Sequence, residues 1–176
     1  MRRLILPTIA LIAVGACSQP AETAAAPAAA AAPTARPQSP EALALAARIQ
    51  AEGAEAVFQD LIGPPDHNGL DPVFAGIATG APEWLALVPA LEPQTDGMYS
   101  EGIQEALMQA LSVNTAGVLA LMPENGSYFF VCANAPAEAR AKVEAINDPA
   151  LEAAKTECLA YVDGTAPEMT EINAAN

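Results

Sequence analysis

SPEALALAARIQAEGAEAVFQDLIGPP, residues Ser39 to Pro65, is the stretch that decides the fold. The Ser39 hydroxyl can accept from the free amides of a first helical turn. Pro40 has the φ that a helix start needs, and Glu41 places an acid where the helix dipole is positive. Behind them Leu43, Ala47, Gln50, Ala54, Val57 and Leu61 follow at spacings of three and four, the period of one helix face. The spacing predicts one long helix running to Ile62, weak at Gly53 and stopped by Gly63-Pro64-Pro65.

The same punctuation recurs along the chain. Asp71-Pro72 predicts a helix that buries Val73, Phe74 and Ile77 and ends at Gly80, and Ala81-Pro82-Glu83 starts one with Trp84, Val88 and Leu91 on a face, Leu85 and Leu87 beside them. Asp96 can cap a helix carrying Ile103, Leu107, Ala110 and Leu111. Asn114 can cap a short one through Val118, Leu119 and Met122, followed by a turn at Pro123-Glu124-Asn125-Gly126. Pro136 opens a helix through Val143 and Ile146, and Asp148-Pro149 opens the last, with Leu151, Lys155, Cys158, Leu159 and Val162 before Gly164. Tyr128-Phe129-Phe130-Val131 is the exception. These bulky residues favour strands but have no partner strand, so the reading is a buried extended or first-turn segment. The expected fold is all-α, a small irregular bundle of about seven short helices. Their unequal lengths and the lack of a fixed period argue against a tetratricopeptide-type repeat.

In front of this domain, Met1-Arg2-Arg3 precedes an apolar run from Leu4 to Val14, then Gly15-Ala16-Cys17-Ser18. A charged start and a short apolar run make an export signal, because spanning a bilayer takes about 20 apolar residues. Val14-Gly15-Ala16-Cys17 resembles the lipobox of bacterial lipoproteins. The resemblance implies that Cys17 receives a diacylglyceryl group and that residues 1–16 are removed as a signal peptide. It also implies that the new amino terminus is acylated. Each buried methylene contributes about 0.8 kcal/mol and a single chain holds only marginally, so two or three chains make a lasting anchor. Ser18, where an aspartate often marks inner-membrane retention, implies the periplasmic face of the outer membrane. The alternative is an ordinary secretory signal cut after Ala24 to Ala26, with Cys17 discarded.

Residues 17–40 then comprise the lipidated cysteine and a disordered Ala/Pro-rich tether, whose length of about 20 residues gives a reach of some tens of ångströms. Residues 41–165, about 125 in number, suit one helical domain. Residues 166–176 are polar and aperiodic and read as a flexible tail. Trp84-Leu85, Asn114 through Leu119, Val131-Cys132, Asp148-Pro149-Ala150-Leu151 and Cys158-Leu159 together resemble small secreted helical proteins of unassigned function. That resemblance covers about half the chain and implies no activity.

The charge is one-sided. Without Arg2 and Arg3 the chain has five basic residues against 21 acidic ones, and the 91 residues between Arg48 and Arg140 hold twelve Asp or Glu and no Lys or Arg. Such a surface repels nucleic acid and anionic headgroups and favours cationic partners, although acidity also simply keeps an Ala-rich helical protein soluble. With Cys17 lipidated, Cys132 and Cys158 remain. In an oxidising compartment they are expected to form one disulfide, closing a loop of 26 residues. A zinc site would need further ligands, and the chain has one histidine.

That histidine, His67, would have to serve as the base of any triad. Asp66, Asn68 and Asp71 are near enough in sequence to orient it and Ser100 or Ser127 could be the nucleophile, but no Gly-x-Ser-x-Gly elbow is present. Asp66, Asn68 and Asp71 also carry oxygens at one-three-six spacing and are weak candidates for a metal, lacking the ligand at five, the glycine at six and the distal glutamate of an EF-hand. Glu101 and Glu105 lie one turn apart and could work as a carboxylate pair only with facing partners. Trp84 reads as core, or, if exposed, as the hot spot of a partner surface. Two function classes follow. The first is a tethered acidic module that binds another envelope protein, with a basic surface, in an accessory or immunity-type role, and has no catalytic residues and no cofactor besides the lipid on Cys17. The alternative is an enzyme or metal-dependent protein centred on His67 and nearby carboxylates.

Overall fold

A computed structural model of the chain describes residues 38–63, 68–125 and 128–167. The signal peptide, Cys17 and all but the last residues of the tether lie outside the described residues, as do Asp66, His67, Ser127 and the tail from 168 onward. Within the described residues every regular element is helical and no strand occurs, so the domain is all-α.

The opening stretch does form helix, as two pieces: α1 (Pro40–Glu52) and α2 (Ala54–Ile62). The Ser39 side chain accepts from the Ala42 amide at 3.3 Å, and the Ser39 amide donates to Glu83 Oε1 at 2.7 Å, fixing the start of α1 to a later part of the domain. Gly53 stands between the helices at φ +90°, a conformation that a residue with a Cβ rarely adopts. The single long helix is therefore corrected to two, with the break at the residue that weakened it. Arg48 bridges the break, bonding Glu52 at 3.1 Å and Asp60 at 2.9 Å. The expected face of α1 is also corrected. Ala42 and Leu45 are buried with Ile49 packed behind them, whereas Leu43 is 47% exposed and Ala47 and Gln50 face solvent. In an Ala-rich helix two faces satisfy the same spacing, and the one carrying both Leu45 and Ile49 wins because it buries more apolar area.

After a single-turn 3-10 segment at Asn68–Leu70, α3 (Asp71–Ala78) follows directly; Leu70 holds its N-cap position and Asp71 sits in its first turn without a side-chain cap bond. Two one-turn helices, α4 (Pro82–Leu85) and α5 (Val88–Leu91), replace the single helix expected there, and Trp84, Leu85, Leu87, Val88 and Leu91 are all buried. Trp84 is 8% exposed and its indole lies flat against α3, so close that a Cβ on Gly76 would come within 2.3 Å of the ring. Trp84 is thus a core residue, and the reading that put it on a partner surface is corrected.

The rest of the domain is α6 (Gly97–Leu111), α7 (Thr115–Asn125), α8 (Tyr128–Ala133), α9 (Ala137–Glu144) and α10 (Glu152–Val162), the last preceded by a 3-10 turn at Pro149–Leu151. Central to the packing is α6, which meets α3 as well as α7 and α8 and buries Ile103, Ala106, Leu107, Ala110 and Leu111. Asp96 stands at its N-cap position with extended backbone but makes no side-chain cap bond. Asn114 does cap α7: its Oδ1 accepts from the Gly117 amide at 3.0 Å while its Nδ2 donates to the Gly80 carbonyl at 2.8 Å, joining the start of α7 to the end of α3. Pro123 lies inside α7 where a turn was expected, and the helix continues to Asn125.

Tyr128 to Val131 forms the first turn of α8, so of the two readings, extended or first-turn, the helical one holds. Tertiary burial overrides strand preference here. Tyr128, Val131 and Cys132 are all buried, and the Tyr128 ring stacks on Tyr161 of α10 at 6.3 Å with an interplanar angle of 6°. The expected disulfide joins Cys132 to Cys158 across α8 and α10, with Cα atoms 5.3 Å apart and both cysteines buried. Asp148 caps the last segment through the Ala150 amide at 2.9 Å. The domain closes one residue beyond Thr165, on Ala166, which is 1% exposed and donates to the Ala160 carbonyl.

Candidate functional site

The residues singled out for chemistry do not converge where the structure describes them. Asn68 opens its 3-10 turn and Asp71 is exposed at the first turn of α3. Ser100 is half-buried on α6, where its Oγ accepts from Gln104 Nε2 at 3.3 Å. That contact gives it a local partner on its own helix. Glu101 and Glu105 are exposed one turn apart on α6, as expected. Among the described residues no group of three His, Cys, Asp or Glu is placed to hold a metal ion. Nor is any described helix long and apolar enough to cross a membrane.

What the fold does build is a groove between α3 and α6. It is open, about 210 Å³ in volume, and lined by Phe74, Ala75, Ala78, Gly102, Glu105, Ala106 and Gln109. The groove exists because small residues face each other across the two helices. Phe74 lies over Gly102 so closely that a Cβ there would meet the ring at 2.7 Å, and the alanines leave the space on either side unfilled. On α6 the lining residues fall at 102, 105, 106 and 109, one helical face. Continuing that spacing one turn back reaches Met98, which is 73% exposed, while Val113, 59% exposed, lies in the turn just after α6. Val113 packs at the end of α3, where a Cβ on Gly80 would come within 3.2 Å of it.

This face was not singled out from the sequence. The signal was present in the spacing Met98, Gly102, Ala106 and Gln109. It is invisible without α3, because Gly102 and the alanines read as ordinary helix filler until an opposing helix leaves a channel above them.

The charges sort the surface. Arg48 is held between Glu52 and Asp60, which push its pKa further up, while the bond from Arg48 lowers that of Glu52. Arg140 bonds Asp163 at 2.8 Å and Glu144 at 2.6 Å, and the Arg140 bond holds Asp163 below the usual carboxylate range. Lys155 donates to the Ile146 carbonyl at 2.8 Å, and Lys142 donates to the Ser112 carbonyl at the end of α6. The described cations are thus engaged within the domain. Around the groove, Asp71, Glu101 and Glu105 are exposed, with Asp96 beyond the Met98 end. Lys142 is seated on the Ser112 carbonyl, just past the end of α6.

No protein-family model matches the chain, and neither the curated proteins nor the solved structures include a match to it.

Proposed function

We propose that this chain is a lipid-anchored lipoprotein of the periplasmic face of the outer membrane, whose acidic helical domain binds another envelope protein with a basic surface. The observation that carries this reading is the charge layout: the described Lys and Arg bond to carboxylates and carbonyls of the domain itself, while Asp71, Glu101 and Glu105 stand exposed on helices that have no base. A field of one sign steers oppositely charged partners and rejects nucleic acid and anionic headgroups. Cys17 supplies the anchor, the Ala/Pro-rich tether supplies reach, and the role is that of an accessory or immunity-type binder without a catalytic step.

Cys17→Ala tests the anchor. It is expected to leave an unprocessed precursor without lipid, seen as slower migration and loss from the membrane fraction; normal processing and unchanged partition would defeat it. Photo-crosslinking from exposed positions of the domain in intact envelopes tests the binding role. One discrete adduct, lost when the acidic helices are charge-reversed, is expected. Failure to form such an adduct from any face would overturn the reading.

A further inference from the structure

We infer that the α3/α6 groove is the docking site of the partner and that it takes a cationic amphipathic helix; this rests on the protein-binding reading above. Three features of the molecule converge on it. The groove is apolar along its floor, with the Phe74 ring and the Ala75, Ala78 and Ala106 methyl groups lining it. Met98, the most exposed large apolar side chain of the described residues, lies on α6 one turn before Gly102, on the same face of the helix. Its rim is acidic, with Asp71 on one helix and Glu101 and Glu105 on the other.

The dimensions favour a helix as the occupant. The lining face of α6 runs from Gly102 to Gln109, about 10 Å at the helical rise, which seats about two turns of a partner helix with apolar anchors at three- and four-residue spacing. A thioether at one end suits an adaptable contact. Charge decides between a partner and a second copy. Two copies pairing through this face would oppose Glu101 and Glu105 with their own equivalents in a chain of net charge −14. A lysine- or arginine-bearing helix instead meets opposite charge along the rim.

The probe is a synthetic 15-residue helical peptide with leucines at three- and four-residue spacing and lysines elsewhere, titrated by fluorescence anisotropy onto the purified full chain. Glu101→Lys with Glu105→Lys, and separately Gln109→Arg, are each expected to weaken binding by about tenfold or more. Glu138→Lys with Glu157→Lys, on exposed positions of α9 and α10, should change it less than about twofold. Thermal melts show whether each variant is folded, and Gln109→Arg keeps the test open if the double reversal is not. Equal loss in both charge-reversed pairs would mean that the peptide reads net charge alone, and would overturn the groove. In intact envelopes, crosslinkers at Ala75 and Gln109 should yield the discrete adduct and one at Glu138 should not. An adduct from Glu138 or any other face but not from the groove overturns the groove while leaving the binding reading intact, whereas no adduct from any face overturns both.

Discussion

Two helix contacts of the domain are held together in different ways. Where α8 meets α10, Cys132 and Cys158 are covalently joined, Tyr128 stacks on Tyr161, and Arg140 reaches from α9 to Asp163 just past α10. Burial, and secondarily the nearby Glu157, push the Tyr128 hydroxyl pKa up. Where α3 meets α6 there is no covalent tie. Gly102 lets the Phe74 ring lie directly against the α6 backbone, and a groove beside it remains open. The first region is closed by cross-links and stacking, the second by shape alone. A disulfide locks one part of a small domain covalently, so that another part can keep an exposed apolar face without unfolding.

The largest expected effect comes from removing the lock. Replacing both Cys132 and Cys158 with alanine should cost about 3 kcal/mol for the loop they close. Hydrogen exchange should show protection lost first in α8 and α10. Equal loss in α3 and α6 would erase the distinction between the two contacts. Next is Gly76→Ala, which drives a Cβ into the buried Trp84 indole. It should cost about 1–3 kcal/mol by denaturant unfolding, because that ring has no room to retreat.

Gly102→Ala sharpens the contrast. Its Cβ meets only the far edge of the half-buried Phe74 ring, which can swing into the groove, and alanine gains up to about 1 kcal/mol of helix propensity. Stability should therefore change by less than about 1 kcal/mol, although the groove fills. A loss as large as that of Gly76→Ala would show that the α3/α6 face is packed as rigidly as the rest. The smallest effect is Arg140→Ala, and it depends on pH. Because Arg140 lowers the Asp163 pKa in the folded state, its contribution is present above the ordinary carboxylate pKa and disappears as pH falls through the lower folded value. The difference in melting temperature between wild type and Arg140→Ala should be seen at neutral pH and vanish in acid. A difference that persisted there would assign the arginine a packing role instead.

Much of the architecture was legible where proline, glycine and capping residues punctuate the chain. Ser39-Pro40, Asn114 and Asp148-Pro149 all cap helices through the predicted side chains, because a cap is a local bond among three or four neighbours. The face of α1 was misread because Leu43 and Leu45 compete at the same period, and only the presence of packed neighbours breaks the tie. The α8 segment stayed open between extended and first-turn because aromatic and β-branched residues say strand in isolation. The candidate site was the least legible part. Glu101 and Glu105 could be named as an acidic pair on one helix face, but the channel beside them depends on α3.

What the sequence by itself determined is what acts through near neighbours or through composition: the all-α class, the helix starts, the acidity, and, through the lipobox resemblance, the expectation of an anchor at Cys17. Only the tertiary structure decided which face of α1 is inside, that Trp84 is core, and that small residues on α3 and α6 oppose each other. Those outcomes depend on which distant segments meet. Burial is a property of pairs of surfaces, and a single chain position carries no record of the surface that will cover it.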